Sequence, residues 1–464
     1  MIKHIFPTRV WTFGDRAADR LCQKQPLQIG LAERNTTGFE ANDSVILDYG
    51  AEMCGGVRIL TYRAADVAVR IRFGESLGEC CSELGGVTNA TNDHSLRDFT
   101  VRLQNYSDMT FGDTGFRFVR LDFSERVEIK CIVAKNQMLE RPAQYRYEGE
   151  DQDVRAIYDA AKRTIDLCAS SGYVWDGVKR DRLVWIGDMA PEVIALTTLY
   201  GCLACIERSL DFVKHQTPLP GWMNGMPAYS MWWIIILSEY YDRTRAEAFV
   251  KRQLPYLSAL IRQMDAHIDP NGGLQYPSYF VDWPTHGRAD EQMGVRAINI
   301  IAMKRAIVLL RAFGRDTSLA EELLSRLLKV EITVHSSKQV LALKHVATGL
   351  SERDREMLVA GGARGMSTFM SYYILKAVAS FDRNAAIRMM KEYYGAMLDK
   401  GATTFWEDFD LSWCEGSARI DAFAHDGEKD IHGDCGAFCY QGFRHSLCHG
   451  WSAGVIGFMK EENL

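Results

Sequence analysis

The sequence predicts a mixed protein, with an N-terminal antiparallel β-sandwich over residues 1–148 and an all-α region over 149–464. Two observations predict it. Apolar and polar residues alternate with period two in the first part, and the period lengthens to the helical one after Glu148-Gly-Glu-Asp-Gln-Asp. In the first part Val45-Ile-Leu-Asp-Tyr, Val57-Arg-Ile-Leu-Thr-Tyr-Arg, Val67-Ala-Val-Arg-Ile-Arg-Phe and Phe116-Arg-Phe-Val-Arg-Leu-Asp-Phe each read as a strand with one face in a core, and Glu128-Ile-Lys-Cys-Ile-Val-Ala adds another. The Gly- and Asn-rich turns between them suit antiparallel pairing in a sandwich.

In the second part Val154, Ile157, Tyr158, Ala161, Ile165 and Cys168 recur at helical spacing. Helix-like blocks follow at about 189–214, 227–247, 249–268, 289–313, 317–328, 351–360, 366–380, 384–398 and 447–459. Long loops between the blocks suggest antiparallel helical hairpins. Periodicity alone does not say how such hairpins close.

The 464 residues are 47% hydrophobic and 25% charged, which suits a soluble protein of two or three domains with large cores. The net charge of −6 and the absence of a basic block exclude nucleic acid as an expected partner. No apolar run is long enough to span a membrane, and the N-terminus carries no apolar signal-peptide core. Twelve cysteines scattered through a long chain fit reduced thiols, so a cytoplasmic location is expected. A homo-oligomer remains open.

One segment concentrates polar chemistry. Asp176-Gly-Val-Lys-Arg180-Asp181-Arg182-Leu-Val-Trp185-Ile-Gly-Asp188 places three carboxylates, two arginines and a lysine around one tryptophan. A carbohydrate site needs these residue types: carboxylates as proton donor, proton acceptor and hydroxyl binder, Arg as a fork of donors, and Trp as an apolar platform. The plainer alternative is an ion-paired surface turn anchored by its Trp.

The segment also resembles the catalytic stretch of the family 78 glycoside hydrolases, the α-L-rhamnosidases, which reads roughly Asp-x-x-x-Arg-(Asp)-Glu-Arg-x-Gly-Trp-x-Gly-Asp. Asp176, Arg180, Arg182, Trp185, Gly187 and Asp188 match it, while the family's acidic Glu is replaced by the shorter Asp181. Gly401-Ala-Thr-Thr-Phe-Trp406-Glu407 is similar to the stretch carrying the family's general base, and Asp48-Tyr-Gly-Ala-Glu-Met-Cys-Gly-Gly-Val-Arg and Thr114-Gly-Phe-Arg-Phe-Val-Arg look like strands of its sandwich. The resemblance implies closure of the helical hairpins into an (α/α)6 barrel, without the family's usual extra β modules. It also implies an inverting glycosidase with no cofactor and no metal, acting on terminal α-L-rhamnose or a related 6-deoxy sugar, with Asp181 as acid and Glu407 as base.

By the same resemblance Asp176, Arg180 and Asp188 bind sugar hydroxyls and Trp185 packs on the C6 methyl. Trp406 belongs to the base motif, and Asp282-Trp283 is similar to a Gly-Asp-Trp segment of the family. Of the adjacent Trp232 and Trp233 only one can face a site from a helix, and Trp233 is the one expected there. The stretch from His432 through Cys435, Cys439, His445 and Cys448 to His449 matches no standard zinc spacing. His445 or His449 is instead expected at the barrel mouth, with packing at a helix start as the alternative. Cys202-Leu-Ala-Cys205 sits in an apolar run and reads as core. Three functions stay open: a rhamnosidase, a glycosidase of the same architecture acting on another sugar or an unsaturated uronide, and a non-catalytic sugar binder.

Overall fold

The structure, a computed structural model, describes residues 2–14, 17–83, 97–438 and 441–464. Among the described residues, eight antiparallel strands open the chain: β1 (Ile2–Ile5), β2 (Arg9–Phe13), β3 (Thr37–Phe39), β4 (Ser44–Ala64), β5 (Val67–Gly74), β6 (Asp98–Leu103), β7 (Ser107–Phe123) and β8 (Val127–Gln137). The sequence pattern suggested two packed sheets, but hydrogen bonding joins all eight into one, in the order β1-β8-β4-β7-β5-β6 with β2 on β4 and β3 on β8. Long strands make this possible. The 21-residue β4 passes through register shifts at Asp48/Met53 and Gly55/Val57, and such bulges bend and twist a strand so that one sheet wraps its own core. Gly55 is required there. Its φ is +142°, and a Cβ would lie 2.1 Å from the Lys135 carbonyl oxygen. Val45, Leu47, Val57, Ile59, Val69, Ile71, Val119 and Leu121 fill the resulting core.

A short helix, α1 (Leu77–Cys81), follows β5, and among the described residues twelve more α-helices follow the sheet: α2 (Gln152–Cys168), α3 (Met189–Tyr200), α4 (Ala204–Gln216), α5 (Pro227–Thr244), α6 (Glu247–Asp265), α7 (Glu291–Ala312), α8 (Ser318–Leu327), α9 (Lys338–Ala347), α10 (Glu352–Val359), α11 (Ser371–Ala379), α12 (Arg383–Asp399) and α13 (Val455–Glu461). Helices α3, α5, α7, α9 and α11 each pack on the next of the series, α11 packs on α13, and α13 returns to α3. Burial agrees with this circuit. Helices α3 and α5 are apolar and buried almost all round, whereas α2, α4 and α8 bury one stripe and expose the other.

The helix boundaries depart from the expected ones at three places. The block at 189–214 is two helices, because Gly201 takes φ +69° and caps α3 through its N–H to the Thr197 carbonyl. Helix α9 was not foreseen. Lys338-Gln-Val-Leu-Ala-Leu-Lys-His-Val-Ala is buried on several sides, so it lacks the clean stripe that signals a helix. The block at 447–459 is helical only from Val455, after a 3₁₀ turn over Gly450–Gly454, since His449 is extended and pairs with Gly177. In the CxxC pair Cys205 is buried, but Cys202 is exposed, with its sulfur 2.9 Å from the Tyr240 hydroxyl oxygen.

The sheet and the helices share contacts. Val178, Leu167, Cys168 and Cys448 pack with Cys54 of β4. Arg117 of β7 grips Asp48 with Nε at 2.8 Å and Nη2 at 2.9 Å, and reaches the Gly401 carbonyl at 3.2 Å with Nη1.

Candidate active site

Asp176 closes its own loop. Its carboxylate accepts the Leu183 N–H at 2.8 Å, its N–H donates to the Leu183 carbonyl at 3.1 Å, and its carbonyl accepts the Gly450 N–H at 2.6 Å. Inside the loop Asp181 and Arg182 are both left-handed, with φ +55° and +50°. Two consecutive non-glycine residues in that region cost of order 1–3 kcal/mol each, and such strain clusters at functional sites. The turn splits the two side chains. Asp181 lines a cavity of about 340 Å³, while Arg182 stacks over Trp175 and donates to the Asp113 carbonyl of the sheet.

The loop leads into α3, with Asp188 at the helix start beside the same cavity. Gly187 keeps this entry close to α5, where a Cβ would lie 2.5 Å from the Tyr229 ring. The Tyr229 hydroxyl donates to Asp188 Oδ1 at 2.9 Å. From the far end of the chain come Glu407 and His449. His449 Nε2 lies 3.4 Å from Glu407 Oε1, 3.8 Å from Asp188 Oδ2 and 3.9 Å from Asp176 Oδ2, so one imidazole faces three carboxylates. An aromatic wall completes the cavity: Trp185 meets Tyr229 edge-on, and Phe280 packs on Tyr229 and Trp283.

Arg180 lies behind the carboxylates and joins them. Its Nη2 is 2.5 Å from Glu407 Oε2, its Nη1 is 3.2 Å from Asp181 Oδ1, and its Nε donates to the Arg444 carbonyl at 2.7 Å. Burial pushes the Glu407 carboxyl up, but Arg180, then His449 and the Ser446 N–H, hold it well below the usual carboxylate range. The acids opposite go the other way. Burial, then Asp181 and Asp188, raise Asp176 well above its ordinary value, and burial lifts Asp188 to about 7 against the pull of His449 and Tyr229. The cavity therefore holds one firmly ionised carboxylate and at least two carboxyls that favour their protons.

The raised Asp188 has a stability consequence. A folded-state pKa above the unfolded one means that the native protein holds the proton more tightly, so this contribution is complete at low pH and is lost as pH rises from 3.8 toward about 7. Asp188→Asn is expected to flatten this decline and to gain up to about 4 kcal/mol at pH 8 relative to pH 4, compared with the parent. Urea unfolding midpoints across pH 4–8 check it; parallel slopes for the two proteins would refute it.

Of the residues expected here, Asp176, Asp181, Trp185, Asp188, Trp283, Glu407 and His449 line the cavity. Arg180 is not in the lining; it pairs with Glu407 and Asp181, which are. Trp233 points away from the cavity, fully buried against Tyr256, with its indole N–H on the Leu210 carbonyl at 3.3 Å. Trp232 is also interior, against Phe369 and Tyr373. Trp406 is fully buried and meets Phe409 edge-on, so it packs in the core and does not line the cavity. Asp282 spends its carboxylate on the Thr285 N–H at 3.1 Å and the Ser367 hydroxyl at 2.6 Å, shaping the turn that presents Trp283. His445 is buried beside His432 and Trp413, and neither ring nitrogen has a hydrogen-bond partner among the described residues.

Sequence reasoning missed Asn224, Tyr229, Phe280 and His286 in the cavity wall. It also missed a buried charge cluster behind the site. Glu75, Glu79 and His432 bring three metal-type ligands together, but the Lys179 ammonium stands among them. Lys179 is fully buried, 3.0 Å from Glu75, 3.1 Å from Glu79, 3.4 Å from His432 Nε2, and donates to the Phe443 and His445 carbonyls at 2.7 and 2.8 Å. These contacts satisfy the ligand atoms with a cation that the chain itself carries. Cys435 and Cys448, expected in the same stretch, are buried, and Cys439 lies outside the described residues. Glu75 accepts the Leu447 N–H at 2.6 Å and the Ser446 hydroxyl at 3.1 Å, and the Ser446 N–H donates to Glu407 at 2.8 Å. The segment after β5 thus fixes the Ser446–Leu447 backbone, which in turn bonds Glu407.

No family model matches the sequence, and no curated protein sequence does. Solved structures do match. The chain is similar to a rhamnosidase from Klebsiella oxytoca with rhamnose bound, at 19% identity and a TM-score of 0.72, over 100% of this chain and 96% of that one. It is also similar to a GH78 family rhamnosidase of Bacillus sp. GL1, at 19% identity and a TM-score of 0.70, over 92% of this chain and 47% of that one. An α-L-rhamnosidase from Dictyoglomus thermophilum aligns at 14% identity and a TM-score of 0.68, over 99% of this chain and 51% of that one. The chain thus spans about half the length of the Bacillus and Dictyoglomus enzymes and nearly all of the Klebsiella one. Over most of its length, then, this chain has the fold of the family 78 α-L-rhamnosidases.

Proposed function

We propose that this protein is an inverting glycoside hydrolase that removes terminal α-L-rhamnose or a related 6-deoxy sugar. We read the circuit of α3, α5, α7, α9, α11 and α13 as the inner ring of an (α/α)6 barrel, with the cavity at its mouth. One observation carries the reading: Asp181 and Glu407, more than two hundred residues apart in sequence, line one cavity and are held by the same Arg180 guanidinium.

Inverting hydrolysis needs a base that stays ionised, a proton donor, and room for a water between them. Glu407 meets the first need, since Arg180 and His449 keep it charged. One guanidinium fork, 2.5 Å from Glu407 Oε2 and 3.2 Å from Asp181 Oδ1, holds both carboxylates at the same part of the cavity, where an inverting pair would stand roughly 6.5–9.5 Å apart. In this reading Asp181 protonates the departing glycosidic oxygen, Glu407 takes the proton of the attacking water, and Asp176 and Asp188 bind hydroxyls. Trp185, Phe280 and Trp283 give the apolar wall that suits a methyl at C6.

A second assignment within the same reaction rests on charge. Asp181 sits 3.2 Å from a cation, whereas Asp188 lies at about 7 on the same cavity, so Asp188 is the rival proton donor. The function is tested with 4-nitrophenyl α-L-rhamnoside followed by proton NMR in the first minutes. Release of β-L-rhamnose first, before mutarotation, is the expected result. Release of the α anomer would refute inversion, and no turnover of this substrate while another aryl glycoside is cleaved would refute the sugar.

A further inference from the structure

A cavity of about 220 Å³ lies deeper along the helical circuit than the catalytic one and plays no part in the chemistry above. Its place follows from the helices. Tyr229, near the start of α5, lines the catalytic cavity, and Glu239, about 15 Å further along that helix, lines this one. Five helices of the circuit, α3, α5, α7, α9 and α11, supply its wall. We propose that this cavity is a binding site for a neutral aromatic alcohol, a phenol or a compound of the same chemistry. Nothing in the site depends on glycoside hydrolysis.

Ile194, Ile235, Ile236 and Ile301 line the cavity beside the rings of Trp232 and Tyr373, whose centroids stand 5.5 Å apart. An apolar cavity of about 150 Å³ holds benzene, so this one has room for a ring with a substituent. Three polar groups of the wall are unused. Trp232 is 1% exposed, and its indole N–H has no hydrogen-bond partner among the described residues. The Tyr373 hydroxyl and the His345 ring nitrogens have none among those residues either. A buried donor without a partner costs free energy, so a ligand that supplies the bond is favoured there. An indole N–H can only donate, so the occupant must bring an acceptor. Burial, then Glu239, push the Tyr373 hydroxyl far above its ordinary value, so it stays protonated. Burial, then Lys376 and Arg355, lower His345, so at pH 7 it is neutral, with one donor and one acceptor. An alcohol oxygen can accept from Trp232 while its proton goes to Tyr373 or His345.

Charge disfavours an ionic occupant of either sign. The cations of the wall are already matched: Arg305 bonds Asp242 at 3.0 Å and Glu239 at 3.3 Å, and Lys376 bonds Glu461 at 2.9 Å. Helix α9 ends at Ala347, next to Val346 of the wall, and the negative end of its dipole opposes an anion. Arg305 and Lys376 themselves oppose a cation.

Fluorine-detected NMR titration of the full chain with 4-fluorophenol tests this. The probe is expected to bind saturably, to stay bound in excess L-rhamnose, and to bind at least fivefold tighter than fluorobenzene or 4-fluorobenzoate. Val346→Trp, at an exposed wall position with little risk to folding, is expected to weaken 4-fluorophenol at least tenfold by filling the cavity. Tyr373→Phe keeps the ring and removes the hydroxyl, and a loss of about fivefold is expected. These variants locate the probe whether or not the protein binds rhamnose. No saturable binding, displacement by L-rhamnose, fluorobenzene or 4-fluorobenzoate binding as tightly as the phenol, or unchanged affinity in both variants would overturn the site.

Discussion

Glu407→Gln is expected to lower kcat on a rhamnoside by about 10²–10⁴-fold, the scale of a lost general base. The amide keeps the size of the carboxylate but cannot take a proton from water. The fold should survive the change. Arg180 keeps Asp181 and the Arg444 carbonyl as partners, and loss of one negative charge relieves Asp188 and Asp408, both of which Glu407 disfavours in their charged forms. Thermal melting within a few degrees of the parent, beside steady-state kinetics, separates chemistry from folding. Asp181→Asn makes the complementary case: activity on a natural glycoside should fall steeply, and on 4-nitrophenyl rhamnoside far less, because that leaving group needs little protonation. If Asp188→Asn shows this leaving-group pattern and Asp181→Asn does not, Asp188 is the donor. Full activity of Glu407→Gln would remove it from the mechanism.

Lys179→Met is expected to destabilise the protein by about 3–5 kcal/mol, the cost of leaving buried charges uncompensated. Glu75 and Glu79 would lose the ammonium that lies about 3 Å from each, although Arg97 still reaches Glu79 at 2.6 Å. Two carbonyls, of Phe443 and His445, would lose a donor as well. Chemical unfolding at pH 7 measures the loss. A change under about 1 kcal/mol would mean that the cluster tolerates the swap by shedding charge as protons. The activity of whatever stays folded should also drop, since Glu75 positions the Ser446–Leu447 backbone that holds Glu407.

The strands were legible because each buries one face and so alternates, and the loop from Asp176 to Asp188 because its polar density has few structural explanations. Direction was not legible. Helix α5 is apolar all round, so no polar face marks where Trp232 and Trp233 point, and both turned out to be interior. Trp406 adjoins the proposed base, yet neighbours along an irregular segment diverge, and the cavity took Glu407 while the core took Trp406. Tyr229 carried one usable signal: Gly187 beside Asp188 marked a place where another side chain comes close. Lys179, Glu75 and Glu79 had no signal at all, because their partnership spans the two halves of the chain and no local spacing encodes it.

The left-handed pair at Asp181 and Arg182 bears on how such sites should be compared across relatives. An aspartate has one fewer rotor than a glutamate, so less rotamer freedom is lost when it is fixed in place. At Asp181 and Arg182 the main chain turns back on itself, so where the Asp181 side chain ends depends on two backbone torsions that no alignment of residue types scores. A Glu-to-Asp exchange at a position of this kind says nothing about decay until the conformation of the loop beneath it is known.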